Sequence, residues 1–516
     1  MAKFTFIDLF SGIGGFRLGL DKNGGKCLGF SEVNKDAIQT YCDNFNDRQS
    51  DNFGDIRLID ELPNHDVLTA GVPCQSWSIA GKNLGFDDDR GQLWNDTIYL
   101  LNKVRPKAFV FENVKGLQDP RNREAFDYIL NRITEAGYFA KWFLINSHEY
   151  GVPQNRQRVY IIGFKEKKYL QKFSLPQSTN ELSRLYDYLT DLPKPDFEKT
   201  KISSEILFGK SIPGGRTKFQ KSDELNDFFL FNDIRNGHST IHSWELSRTT
   251  KKEKEICMVL LRNRRKKMYG PFDGNPLSFE HFKELIPSIK KQDLSKLVKK
   301  GILKEVEYSF EINPKTRVIY SGAEKLVIEQ KSGNNLFLND LKNSKDIKRN
   351  RINFKVALES LKQKEVLKAK EIRYDFQNSK ISSGINGINR IFLPNSEVFS
   401  TLVASDTNDF VATVNIEAQT PEEYKTKFLE EVVLNKNYRK ITKEEALIIQ
   451  GFPSNFLLPQ NRARWMKLIG NSVSVPVIEK LGEALVASGV FEEKTNRSRP
   501  KTAKAKEVSV ENFQRT

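Results

Sequence analysis

Residues 3–9, Lys-Phe-Thr-Phe-Ile-Asp-Leu, read as an apolar strand and run into Phe10-Ser11-Gly12-Ile13-Gly14-Gly15, after which an apolar-periodic segment, Phe16–Leu20, begins. Strand, glycine turn and helix in that order commit the chain to a helical crossover, the connection that parallel strands need. The alternation continues. Lys26–Phe30 is a second strand that ends at Glu32, and Asp36–Phe45 is a helix. Gly54-Asp55-Ile56 is a turn, and Asp66-Val67-Leu68-Thr69 is a strand that leads to Cys74. Leu93–Val104 is helical in period, Lys107–Glu112 is a buried strand, and Arg123–Ala136 is a helix stopped by Gly137. Tyr138–Ile145 and Arg158–Phe164 are two further strands. Residues 1–165 therefore predict an α/β, doubly wound, mostly parallel sheet.

Such a sheet binds ligands at the carboxyl ends of its strands. Gly71 and Pro73 end the strand before Cys74, because Pro73 cannot donate to a ladder. Cys74 thus falls on a loop at the reactive edge, although a buried structural cysteine is the commoner fate of an isolated thiol. The four cysteines, Cys27, Cys42, Cys74 and Cys257, form no C-x-x-C pair, so neither a zinc site nor a disulfide framework is indicated. His238 and His242 stand four apart with no further ligand at metal spacing, and no metal is expected. The turn Gly12–Gly15, with Glu32 placed 20 residues after Gly12 at the end of the second strand, fits an adenosine-type cofactor.

The 516 residues imply two or three domains, and 38% apolar content is enough for real cores. No 18-residue apolar run and no signal peptide are present, which predicts a soluble, cytoplasmic protein with no membrane partner. A net charge of +16 points to a polyanionic partner, most often nucleic acid. Residues 175–435 are polar, rich in Lys, Asn and Ser, and lose the alternation. Ile241–Leu261 and Phe279–Leu303 look helical, Lys304–Glu329 looks β-rich, and together they suggest a small inserted winged-helix unit near residues 240–330. No internal repeat is visible. Residues 491–516 are charged and aperiodic, a disordered tail.

The chain resembles the cytosine-C5 DNA methyltransferases. The resemblance is carried by Asp8–Phe16, Glu32, Gly54-Asp55-Ile56, Gly71-Val72-Pro73-Cys74-Gln75, Arg90-Gly91-Gln92-Leu93 and Glu112-Asn113-Val114. It continues through Gln154-Asn155-Arg156-Gln157-Arg158, Gln450-Gly451-Phe452-Pro453 and Gly470-Asn471-Ser472-Val473, in the family's order. These blocks cover residues 1–165 and 438–490. The resemblance implies a Rossmann-like S-adenosylmethionine-dependent methyltransferase domain, residues 1–175 with 467–490. It also implies a smaller α+β target-recognition domain, residues 176–466.

The resemblance implies roles as well. Cys74 is the nucleophile, Glu112 acts on the base at N3, Arg158 lies near the base carbonyl and Arg156 near phosphate. Phe10 stacks on the adenine, Glu32 holds the ribose and Asp55 the adenine amine. Gly12, Gly14, Ile56, Pro73, Leu93, Asn471 and Ser472 complete the cofactor pocket. Gln75, Ser76, Ser78, Arg90, Gln154 and Thr401 belong to the DNA-facing loops, and Ser76–Arg90 is a lid over a flipped base. The basic clusters Lys251-Lys252 and Arg262–Lys267 are candidate phosphate contacts. One departure stands out: Glu444 occupies a position where the family usually has a basic residue.

The chemistry explains the residue types. Cytosine C5 is a poor nucleophile until a thiolate adds at C6. A cysteine pKa near 8.5 leaves little thiolate at neutral pH, so a nearby positive charge helps. Glu112 must keep a proton, which burial at the apolar strand end Phe109-Val110-Phe111 favours. The expected function is a DNA (cytosine-5-)-methyltransferase acting on double-stranded DNA as a monomer, beside a separately acting restriction endonuclease. A tRNA cytosine-C5 methyltransferase is disfavoured by the long middle region. A catalytically silent DNA-binding protein is disfavoured by intact Cys74 and Glu112.

Overall fold

Phe4–Leu9 is buried on both faces, as in a strand inside a largely parallel sheet, and it is β1. The structure, a computed structural model, describes residues 2–73, 89–178, 184–194, 229–231, 243–270, 274–313, 318–377, 388, 390–394, 396, 398–416, 423 and 426–492. β1 shares a six-stranded sheet with β2 (Gly25–Ser31), β3 (Val67–Gly71), β4 (Ala108–Val114), β5 (Phe139–Asn146) and β6 (Gln157–Phe164), in the order β2-β1-β3-β4-β6-β5. β1 pairs in parallel with β2 and β3, and β3 with β4. β6 is antiparallel to both β4 and β5, so it alone runs against the rest.

The chain leaves β1 for β2 on one side and returns to β3 on the other. A crevice opens at that switch, at the carboxyl ends of β1 and β3. The crossovers are α1 (Gly15–Asp21), α2 (Lys35–Phe45), α3 (Asp89–Val104) and α4 (Arg123–Glu135). Trp94, Ile129 and Ile133 cover one face of Phe109 and Phe111. On the opposite face Phe4, Phe6 and Phe16 share a core with Val477, Ile478, Leu481 and Leu485 of the late helix Val475–Ala487. Full burial of each such side chain is worth about 1.5–3 kcal/mol, which makes this distant segment part of the first sheet's packing.

Two more sheets occupy the middle region. β7 (Phe229–Phe231), β12 (Arg390–Phe392), β13 (Asp409–Ala412) and β14 (Tyr438–Arg439) form one, in the order β14-β13-β12-β7. β8 (Leu277–Ser278), β9 (Leu303–Ile312), β10 (Asn335–Phe337) and β11 (Leu367–Phe376) form the other, in the order β10-β9-β11-β8.

Local signals revise several expectations here. The helix expected over Ile241–Leu261 starts later, as α5 (Lys251–Asn263), because Thr250 and Glu253 form a capping box. The expected helix Phe279–Leu303 is two helices, α6 (Phe279–Leu285) and α7 (Lys291–Lys299), since Pro287 interrupts it and Leu303 enters β9. The β-rich reading of Lys304–Glu329 holds for β9 only. Gly322–Glu329 is a helix, α8, because the Ser321–Glu324 capping box outweighs the strand preference of Val327 and Ile328. Two residues of the basic clusters are consumed by the fold. Lys252 pairs with Asp293 at 2.6 Å, and buried Arg264 pairs with Asp375 at 3.0 Å. Residues 493–516, most of the expected tail, lie outside the described residues.

Candidate active site

The turn after β1 holds Phe10 at φ 52, a left-handed conformation that costs an L-residue with a side chain about 1–2 kcal/mol. Two backbone donations hold it there: the Ser11 N–H to the Ser31 carbonyl at 3.0 Å, and the Gly12 N–H to Glu32 Oε2 at 3.0 Å. Glu32 Oε1 accepts from the N–H groups of Val33 (2.8 Å) and Asn34 (2.7 Å), so Glu32 ties the end of β2 to the turn. A Cβ on Gly12 would meet open space, whereas one on Gly14 would collide with the ring of Phe45. Gly12 therefore leaves room above the backbone, and Gly14 allows the turn to seat on α2.

Ser11 Oγ is buried without a hydrogen-bond partner among the described residues. Such an orphan costs about 1–3 kcal/mol. An uncompensated hydroxyl beside an open backbone cradle fits a polar ligand such as the amino-acid or ribose part of S-adenosylmethionine. Sequence reasoning assigned Ser11 no role. It also missed Asp8, fully buried beneath the turn. Thr69 donates to its Oδ1 at 2.9 Å, and burial pushes its carboxyl up to about 7.

The other expected pocket residues are distributed unevenly. Asp55 accepts the Arg57 N–H and pairs with its guanidinium at 2.5 Å, which holds its carboxyl below the usual range. Ile56 is core, and Pro73 and Leu93 are half-buried. Asn471 is exposed. Ser472 is not available to a cofactor through its side chain: it is buried, and its hydroxyl donates to the Ile469 carbonyl at 3.0 Å.

At the end of β3, Gly71 lies in register with Glu112 of β4. Around the position a Gly71 Cβ would occupy, the Phe10 carbonyl stands at 3.8 Å and Glu112 Oε2 at 3.9 Å. The cofactor turn and the carboxylic acid thus converge three residues before Cys74. Arg158 Nε holds Glu112 Oε1 at 3.0 Å. Burial raises the Glu112 carboxyl above its usual range, against the opposing pull of Arg158 and Arg156. Desolvation dominates because the strand end is apolar. Asn113 faces the other way, is buried, and donates to the Val72 carbonyl at 3.1 Å, pinning the backbone just before Pro73 and Cys74. Its position next to Glu112 on a pleated strand was the available signal.

Cys74, Gln75, Ser76 and Ser78 lie outside the described residues, as does the expected lid up to Asp88; Arg90 falls in the first turn of α3. The remaining cysteines are poor nucleophiles. Burial pushes the Cys27 thiol up to about 11 and Cys257 up to about 12, and it raises Cys42 as well.

Arg156, Gln154 and Thr401 need correction. Arg156 was expected near phosphate, but it is 2% exposed. Its guanidinium donates to the carbonyls of Leu402 (2.9 Å), Gly470 (3.1 Å) and Ser472 (2.7 Å). Gln154, expected to face DNA, is fully buried. It donates to the Ile449 carbonyl and to Gln450, and it accepts the Leu402 N–H at 3.0 Å. Gln450 in turn donates to the Ser472 carbonyl at 2.8 Å. Thr401 donates its hydroxyl to the Asn155 carbonyl at 2.5 Å. Residues 398–404 are thus threaded against 153–156 and the end of helix Arg462–Asn471. The fit is so close that a Cβ on Gly470 would lie 2.3 Å from the Val403 carbonyl carbon.

These residues form a polar clasp between the sheet domain and the middle region. Arg156→Met is expected to cost about 3–5 kcal/mol, because the buried Leu402 and Gly470 carbonyls lose this donor and the Ser472 carbonyl keeps only Gln450. Urea unfolding checks this. An unchanged midpoint with weakened DNA binding would restore the phosphate role. The departure at Glu444 is harmless by comparison. That side chain is exposed, while its neighbour Glu445 is buried and holds Arg439 at 2.7 Å.

Among the described residues no group of three His, Cys, Asp or Glu is placed to hold a metal ion, and no helix is long and apolar enough to cross a membrane. Sequence comparison agrees with this geometry. Residues 4–270 and 298–487 match the family described as C-5 cytosine-specific DNA methylase. The Type II methyltransferase M.HgiBI of Herpetosiphon aurantiacus is 41% identical over 495 residues, 96% of this chain and 99% of the relative. The Type II methyltransferase M.BanI of Aneurinibacillus aneurinilyticus is 32% identical over 95% of this chain and 97% of its own length. The turn at Phe10–Gly14, the buried acid Glu112 and matches along nearly the whole chain lead to one assignment: the chain belongs to the C-5 cytosine-specific DNA methylase family.

Proposed function

We propose that this chain is a DNA (cytosine-5-)-methyltransferase that methylates C5 of a flipped cytosine in a specific duplex site, protecting DNA beside a separately acting restriction endonuclease. The observation that carries the reading is the convergence of Phe10 and Glu112 at the end of β3, immediately before Cys74. When bound, S-adenosylmethionine supplies a methyl group on a positively charged sulfur.

The chain's own residues do the rest. Phe10, Ser11, Gly12 and Glu32 hold the cofactor beside the strand end. The Cys74 thiolate adds to C6, forming a C–S bond and moving the ring electrons toward C5 and N3. Glu112, protonated on Oε2 while Arg158 holds Oε1, donates at N3 and relieves that charge. With a bound donor the methyl group would pass to C5 and the donor sulfur would leave as a neutral thioether; the C5 proton then departs to solvent, the N3 proton returns to Glu112, and the Cys74 thiolate is expelled as the ring re-forms. Asn113 fixes the approach of the Cys74 loop by anchoring Val72. The middle region supplies target recognition, and the duplex lies in the cleft between it and the sheet domain.

A tRNA substrate is the rival. The long middle region and the relatives named Type II methyltransferases, matched over nearly their full length, support DNA. Methyl transfer to genomic duplex DNA and to total tRNA separates the two, and bisulfite sequencing of the methylated DNA then gives the site. Incorporation into tRNA alone would overturn the reading.

A further inference from the structure

The sheet β10-β9-β11-β8 is built twice over. One run consists of α5, β8, α6, α7 and β9. The other consists of α8, β10, α9 (Leu338–Asn343), the short helix Lys345–Arg349, which has no counterpart in the first run, then α10 (Phe354–Gln363) and β11. The central pairing is reciprocal: Leu303 faces Phe376 and Leu367 faces Ile312, and one shift in residue number converts the first pair into the second. The short strands are reciprocal as well, Leu277 facing Tyr374 and Leu336 facing Phe310, although their own spacing differs from that of the central strands. Tyr374 and Phe376 of the second run complete the core of the first, and Phe310 and Ile312 complete the core of the second.

The equivalence extends to polar clamps. After α7, Lys300 donates to Glu253 at 2.8 Å and to the Arg248 carbonyl at 2.8 Å. After α10, Lys364 donates to Glu324 at 2.7 Å and to the Ile319 carbonyl at 3.0 Å. Glu253 and Glu324 are both capping-box residues, partnered by Thr250 and Ser321. The repeat is carried by contacts rather than by matching letters, which is why reading the sequence missed it. The segment is a pseudo-two-fold pair of winged-helix-like units.

We propose that this pair is an additional duplex-DNA contact, beyond the part of the middle region that reads the methylated site, presenting α7 and the approach to α10 to the phosphate backbone. Residues 277–376 carry 22 Lys and Arg against 14 Asp and Glu, half of the chain's net excess of 16. Carboxylates such as Glu253, Asp293, Glu324 and Asp375 are engaged in internal pairs. Lys291, Lys296 and Lys299 on α7, and Lys348, Arg349 and Lys355 before and on α10, are exposed, and none forms an ion pair among the described residues. Duplex DNA is the fitting polyanion because its backbone has local two-fold symmetry, which a two-fold pair of helix-turn-helix elements can follow. The proposal rests on the DNA-methylation reading.

The test uses the full-length enzyme and two duplexes, one covering only the methylated site and one extended on both sides. Wild type is expected to bind the longer duplex at least tenfold more tightly. The triple variants Lys291→Glu/Lys296→Glu/Lys299→Glu and Lys348→Glu/Arg349→Glu/Lys355→Glu are each expected to lose that gain. Their plots of log affinity against log salt should be less steep by up to about 3, at roughly 0.9 per phosphate contact. Methylation of the short duplex should stay within twofold of wild type, and the melting temperature should be unchanged. Equal affinity of wild type for both duplexes, or variants that bind the longer one as wild type does, would overturn the proposal. Failure of wild type to methylate either duplex would overturn the DNA reading itself.

Discussion

Cys74→Ser is expected to lower methyl transfer by at least about 10³-fold while leaving DNA affinity within a few-fold of wild type. A serine hydroxyl is far less acidic than a thiol, so almost no oxyanion is present to add at C6 near neutral pH. None of the three described cysteines can substitute, since burial raises each of their thiols above the usual range. The phosphate and base contacts that hold the duplex do not pass through the sulfur, which is why affinity survives. Single-turnover transfer of labelled methyl groups and an anisotropy titration together check both halves. Normal transfer by the variant would remove Cys74 from the mechanism.

Glu112→Gln is expected to cost about 10²–10⁴ in the rate of methyl transfer, the usual contribution of a positioned acid. The amide keeps the size of the side chain and an oxygen for Arg158, but it cannot deliver a proton to N3. The pH dependence carries a sign. Burial raises the Glu112 pKa in the folded protein, and in the proposed mechanism the protonated form is the active one. Its contribution is therefore complete below that pKa and is lost as pH rises through it. The Cys74 thiolate works in the opposite direction, gaining population as pH rises. Wild type should show a rate that climbs with pH and then falls, and the Gln variant should lose the falling limb. A Gln variant that keeps that limb would show that another group donates at N3.

The sheet was legible because strand and helix periods differ and the two alternate regularly over residues 1–165. The positions of the turn at Phe10–Gly14, Glu32 and Glu112 were legible for a related reason: all stand at or near the ends of those strands. Arg156 and Gln154 were misread because an arginine beside a strand end looks alike whether it meets phosphate or carbonyls. Their partners, Leu402, Gly470 and Gln450, are distant in sequence, and only the fold brings them together. Asp8 and Ser11 were passed over because burial, not residue type, makes them unusual. The duplicated units were invisible because their equivalence lies in register and clamps, Lys300–Glu253 against Lys364–Glu324, rather than in identical residues.

The central claim is that Cys74 adds to cytosine at a site assembled by Phe10 and Glu112. A duplex carrying 5-fluorocytosine at the methylated position, incubated with the enzyme and S-adenosylmethionine, tests it directly, because fluorine at C5 blocks the final loss of a proton. The expected result is a denaturant-resistant protein–DNA adduct whose cross-linked peptide contains Cys74. Absence of an adduct with active wild-type enzyme, or an adduct mapped to another residue, would contradict it.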